Sequence, residues 1–168
     1  MRILGIDPGL GITGYGVIEA RGFKFKLIEA GVIRSSYKTP LESRLYKIYQ
    51  AVNQIIKEYK PKVLVLEKLY SHYKHPTTAI LMGHARGIIC LAANLNKIPV
   101  VGYSNTRLNK AVIGRGNASK GQLQQMVQSL LGLKTPPNPL DISDALALAI
   151  CYAYIENKGA LDDFAYKR

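Results

Sequence analysis

Four carboxylates stand where a solvated surface charge is not expected. Asp7 closes the apolar run Ile3-Leu4-Gly5-Ile6, Glu67 closes Val63-Leu64-Val65-Leu66, and Asp141 and Asp144 open the apolar segment that follows Pro139-Leu140. If the two runs are adjacent parallel strands, Asp7 and Glu67 project from the same C-terminal edge, where open α/β sheets place their ligands. The i, i+3 spacing puts Asp141 and Asp144 on one helical face. Four converging carboxylates repel one another unless cations lie between them, and hard oxygen donors of this kind suit Mg²⁺ or Mn²⁺. Two such ions roughly 3.5 to 4 Å apart support phosphodiester hydrolysis, one activating a water and the other stabilising the leaving oxygen.

Each position also has a plainer reading. Asp7-Pro8-Gly9 is good turn chemistry, and Glu67 is equally a surface residue after a strand. Asp141 and Asp144 sit at a helix start, where capping and the helix dipole favour acids. Local sequence leaves these alternatives open.

The charge balance points to a polyanionic partner. Lys and Arg number 23 against 11 Asp and Glu, a net charge of +12. If four of those acids gather at one site, the remaining surface is more positive still, the electrostatic footprint of nucleic-acid binding. Two segments could deliver contacts. The loop Tyr70-Ser71-His72-Tyr73-Lys74-His75 sets aromatics beside cations, suited to stacking on unpaired bases while gripping phosphate, with Tyr70 and Lys74 as candidates. Lys110 and the stretch Gly114-Arg115-Gly116-Asn117-Ala118-Ser119-Lys120 form the other, with Arg115 and Lys120 as candidates beside ordinary solvated lysines. That stretch lacks the order of a Walker loop. Cys90 and Cys151 lie among apolar residues and read as buried thiols, while His72, His75 and His84 lack zinc-site spacing.

The elements that must position these groups follow from periodicity. Residues 2–7 form a strand stopped by Pro8-Gly9; 13–20 and 23–34 continue it as an antiparallel meander, turning at Arg21-Gly22. Leu41, Leu45, Ile48, Val52, Ile55, Ile56 and Tyr59 lie on one helical stripe ended by Pro61. The run 63–66 reads as a strand covered on both faces. Residues 77–96 form a helix rich in small residues, 98–103 a strand, and helices follow at about 119–131 and 140–155. The order βββαβαβ, then helices, implies a five-stranded mixed sheet flanked by helices. A single domain over 1–156 with a flexible tail over 157–168 is the expected organisation. No long apolar leader and no stretch of about 18 apolar residues is evident, so neither export nor a membrane is expected, and a cytoplasmic location follows.

Taken in order, Ile3-Leu4-Gly5-Ile6-Asp7-Pro8-Gly9 with Thr13-Gly14-Tyr15-Gly16, Leu66-Glu67-Lys68-Leu69-Tyr70, Gly83-His84-Ala85-Arg86-Gly87 and Asp141-Ile142-Ser143-Asp144-Ala145-Leu146-Ala147 resemble the bacterial RuvC family of Holliday-junction resolvases across residues 2–155. The resemblance implies a ribonuclease H-like fold, a homodimer, and Mg²⁺-dependent paired nicking of four-way DNA junctions in recombination and repair, with two ions per site. It implies Asp7, Glu67, Asp141 and Asp144 as catalytic metal ligands; some relatives carry His at the position of Asp141. It implies stacking by Tyr70 at the junction centre, where relatives often carry Phe, and DNA contacts near the scissile phosphate by Lys110 and Lys120. Partnership with the branch-migration proteins RuvA and RuvB is implied likewise. Three rivals share features of the chain: a related nuclease acting on RNA or RNA–DNA hybrids, a junction-binding protein without catalysis, and the phosphate-binding turn of actin-like and sugar-kinase ATPases. The last needs two such domains, and 168 residues supply one.

Overall fold

The computed structural model describes residues 1–68 and 76–165, with side chains over 1–68 and 77–157. Strands β1 (Arg2–Asp7), β2 (Ile12–Arg21) and β3 (Lys24–Arg34) form the expected antiparallel meander. Gly22, with a φ of 57°, supplies the left-handed turn residue between β2 and β3. Strands β4 (Val63–Glu67) and β5 (Val100–Tyr103) add in parallel, so the sheet runs β3-β2-β1-β4-β5. Helices α1 (Leu41–Tyr59), α2 (Pro76–Leu95), α3 (Asn105–Ile113), α4 (Lys120–Leu131) and α5 (Leu140–Ala165) complete the fold.

Period-2 alternation divides the core. Leu4, Ile6, Leu64 and Leu66 pack with Ile48, Val52, Ile56, Ala85 and Ile89 on the α1 and α2 face. Ile3, Val63 and Val65 pack with Leu123, Val127, Leu146, Ala149 and Ile150 on the α4 and α5 face. Covering on both sides is why β4 reads as an unbroken apolar run. Cys90 and Cys151 are free thiols; Cys151 is fully buried, as expected, whereas Cys90 is only half-buried against the α1 and α2 core.

Three details depart from the sequence expectation. Helix α3 was not foreseen, because only Leu108 and Val112 of its nine residues are buried and no apolar stripe announces it. Helix α5 runs to Ala165, so the stretch expected as a tail from 157 begins as helix. Helix α2 is apolar beyond what it buries: Thr77–Leu95 has a mean hydropathy of 1.3 with 22% buried, enough by length and composition to cross a membrane. Its Ala85, Ile89, Ala92 and Ala93 face the core. Ile80, His84, Gly87, Leu91 and Leu95, spaced three and four apart, form an exposed stripe on the other side.

Candidate active site

The parallel register pairs Ile6 with Leu66, so the next residues, Asp7 and Glu67, leave the sheet side by side at its C-terminal edge. Both fall on the α5 face, because their side chains alternate with the inward-facing Ile6 and Leu66 of the other face. The second pair of carboxylates arrives on α5. Gly5 and Gly14 line the strip of sheet on which that helix rests. A Cβ on Gly5 would lie 1.9 Å from the Ala145 carbonyl oxygen, and one on Gly14 would lie 2.1 Å from that of Asp141. Two missing side chains therefore let α5 settle against the strands and bring Asp141 and Asp144 to the β1 edge. All four carboxylates line one cleft of about 1010 Å³.

The turn after β1 is fixed by Thr13, which is fully buried. Its hydroxyl donates to the Gly9 carbonyl at 2.6 Å and accepts from the Gly9 amide at 3.4 Å. Turn chemistry and a site role are thus compatible: the turn aims Asp7 into the cleft. Capping explains the α5 pair less well. Among the described residues neither Asp141 nor Asp144 accepts a side-chain hydrogen bond from the helix's own amides, and Asp144 instead faces Lys120 Nζ at 3.9 Å.

Electrostatics mark the cluster as strained in charge. Burial, then Asp144, Glu67 and Asp141, push the Asp7 carboxyl up to about 7, with Lys120 opposing. Burial and Asp144 raise Glu67, opposed by Lys120 and Arg86. Burial raises Asp144, where Lys120 opposes and Asp141 adds. Moving one carboxyl from 3.8 to about 7 costs on the order of 4 kcal/mol once it is ionised. The fully buried Leu4, Ile6, Leu64 and Leu66 beneath the edge each contribute about 1.5 to 3 kcal/mol, so the core tolerates the cluster. The carboxylates face one cleft without closing into a cage: among the described residues no three His, Cys, Asp or Glu side chains form a ready metal-holding group.

Two residues absent from the sequence assignment hold Glu67. Asn105, opening α3, donates its side-chain amide to Glu67 Oε1 at 2.5 Å. Arg86 on α2 donates to the Glu67 carbonyl. The Ser104 cap that starts α3, accepting from the Arg107 amide at 3.2 Å, was the available sign of Asn105's position.

The expected DNA contacts separate. Lys120, at the start of α4 behind the capping box of Ser119 and Gln122, lines the cleft. Lys110 does not; it lies with Arg107, Tyr154 and Ile155 around a separate hollow. The cleft wall at that turn belongs to Asn109, whose side-chain amide donates to the Gly116 carbonyl at 3.3 Å. Arg115 is exposed and outside the cleft lining. Tyr70 and Lys74 lie outside the described residues.

The fold that carries this cleft has close counterparts. The family described as crossover junction endodeoxyribonuclease RuvC matches residues 3–152. The chain belongs to the RuvC family. Similar relatives include the RuvC proteins of Desulforamulus reducens, 48% identical over 91% of this chain and 93% of the relative, and Rhodopirellula baltica, 46% identical over 92% and 87%. Among solved structures, Thermus thermophilus RuvC in complex with a Holliday junction substrate superposes with a TM-score of 0.91 at 31% identity, covering 95% of this chain and 96% of that one. The yeast mitochondrial Holliday junction resolvase Ydc2 shares the fold, with a TM-score of 0.71 at 12% identity over 98% and 83%. The fold is ribonuclease H-like, as the sequence motifs implied, and RuvC-family membership makes the chain a nuclease of the hydrolase class.

Proposed function

We propose that this chain is a Holliday-junction resolvase that makes paired, symmetrical nicks in four-way DNA junctions, with Asp7, Glu67, Asp141 and Asp144 as its catalytic carboxylates. The observation that carries the reading is geometric: Asp7 and Glu67 at the β1–β4 edge and Asp141 and Asp144 on α5 line one cleft that Lys120 also enters. An all-oxygen donor set under mutual repulsion fits hard divalent cations, and closing around them would relieve that repulsion. A bound pair, Mg²⁺ with Mn²⁺ as substitute, supplies an activated water and charge stabilisation at the leaving oxygen.

The chain's own residues do the rest. Asp7 and Glu67 form the rigid half of the site, fixed by the β1–β4 ladder. Asp141 and Asp144 form the half that depends on α5 docking. Asn105 orients Glu67, and Lys120 offsets charge beside Asp144 and meets the phosphate backbone of the strand being cut. Lys110 and Arg115 serve DNA outside the carboxylate cleft, Tyr70 stacks on bases at the junction centre, and Lys74 grips phosphate.

A four-way junction has two-fold symmetry and calls for two sites, so the working unit is a homodimer. The exposed α2 stripe of Ile80, His84, Gly87, Leu91 and Leu95 is the surface it would use, with Gly87 open to close approach. RuvA and RuvB are the partners and the bacterial cytoplasm the location that family membership suggests. The deciding experiment compares a synthetic four-way junction, a linear duplex and an RNA–DNA hybrid, with and without Mg²⁺. Symmetrical nicking of the junction alone, only with metal, is expected; hybrid cleavage or metal-independent cutting defeats the reading.

A further inference from the structure

Arg44 enters the same cleft from the other face of the sheet. It closes the first turn of α1, and its Nε donates to Ser35 Oγ at 3.0 Å. That hydroxyl donates onward to the Leu10 carbonyl, and the Ser35 amide donates to the Gly11 carbonyl at 2.9 Å. The guanidinium of this cleft-lining residue is thus tied to the turn that follows Asp7 through Nε, and among the described residues its terminal fork, Nη1 and Nη2, has no hydrogen-bond partner. Among the described residues no carboxylate pairs with it; the ion pairs there are Arg21 with Glu19 and Lys120 with Asp144. A half-buried arginine that lines the same cleft as an acidic cluster, yet is held by a serine away from those carboxylates, is placed for an anion the protein does not itself supply. A planar fork with a fixed stem loses less entropy on binding phosphate than a free lysine does.

We propose that Arg44 clamps a backbone phosphate of the bound DNA strand, next to the phosphate that is cut. The inference rests on the junction-nuclease reading. Lys120 comes from the α5 face, where the carboxylates lie, and Arg44 from the α1 face, across the Pro8–Ile12 turn. A strand crossing the sheet edge meets Lys120 at the scissile position and Arg44 at a flanking one. Arg44 is a binding residue whose loss appears in KM more than in kcat.

The test is the salt dependence of affinity for a synthetic four-way junction, read by fluorescence anisotropy in EDTA, for the wild type and four variants. Arg44→Gln is expected to bind about tenfold more weakly at low salt and to reduce the slope of log K against log salt by about 0.9, one phosphate contact. Arg44→Lys keeps the charge and the slope but binds more weakly than wild type. Ser35→Ala keeps the slope and loses affinity through a freed side chain. Lys62→Gln, an exposed lysine at the opposite end of β4, keeps the wild-type slope. An unchanged slope in Arg44→Gln, or an equal reduction in Lys62→Gln, overturns the Arg44 assignment alone. Wild-type protein that fails to bind the junction overturns the nuclease reading itself.

Discussion

Gly14 and Asp141 meet at a distance no side chain survives: a Cβ on Gly14 would stand 2.1 Å from the Asp141 carbonyl oxygen and 2.9 Å from its Cβ. Gly14 is also the ladder partner of Asp7. One glycine therefore ties the strand carboxylate to the helix carboxylates. Gly14→Ala is expected to lift α5 from the sheet, with roughly 1 to 3 kcal/mol lost to overpacking and a larger proportional loss of junction cleavage. Urea denaturation and single-turnover cleavage on one preparation check this; wild-type values in both would mean the contact does not set the site.

Asp7→Asn removes one of the converging charges but no basic group. Cleavage is expected to fall by at least ~10²-fold, the scale of losing one preorganised electrostatic group, while the junction is still bound. A gel-shift beside a cleavage assay separates the two effects. Parallel loss of both would assign Asp7 to folding or to scaffolding.

The raised Asp7 carboxyl has a stability consequence of definite sign. In the fold it holds its proton to about pH 7, in the unfolded chain only to near 3.8, so between these values the native state binds more protons and stability falls as pH rises. Glu67 and Asp144 are raised in the same direction. In metal-free buffer Asp7→Asn should therefore stabilise the protein at pH 8 by a few kcal/mol, at most ~4, and by nearly nothing at pH 4. Denaturation midpoints across that range measure it, and a gain independent of pH would contradict the electrostatic account. Divalent metal should narrow the gap by stabilising the wild type.

Asn105 touches Glu67 through one oxygen. Its replacement by Ala is expected to raise the Mg²⁺ concentration for half-maximal cleavage by about 10- to 100-fold, the range seen when groups orienting metal ligands are removed. Calorimetric titration with Mn²⁺ gives a readout apart from turnover. Unaltered metal affinity would make the hydrogen bond incidental.

Leu91 and Leu95 are 47% and 58% exposed on the α2 stripe. If that stripe joins two copies, the double change Leu91→Glu with Leu95→Glu should yield monomers in analytical ultracentrifugation and abolish paired nicking. A dimer that withstands both charges would place the interface elsewhere.

Much of this was legible in the sequence because strand chemistry is local. The apolar runs ending at Asp7 and Glu67 announced both strands, and their paired register confirmed a shared edge. The docking of α5 was not legible, since it depends on which residue of a distant helix meets Gly5 and Gly14. Asn105 was missed with its whole element: α3 buries too little to show an apolar period, and its Ser104 cap and Gly114 close are short signals. Arg44 was hidden differently, as an ordinary polar residue on a helix that needed no further explanation. The α5 boundary was set too early: Asn157 donates to the Gly22 carbonyl at 2.6 Å, a contact with a distant turn, and α5 continues.

The division of the carboxylates between β1 and β4 on one side and α5 on the other has a temporal meaning. A ribosome exposes Asp7 first and the α5 pair long afterwards, so if all four carboxylates act together, a nascent or prematurely ended chain holds half a site and would not nick DNA. On that reading α5, dropping onto two glycines, is in effect the safety catch of the nuclease.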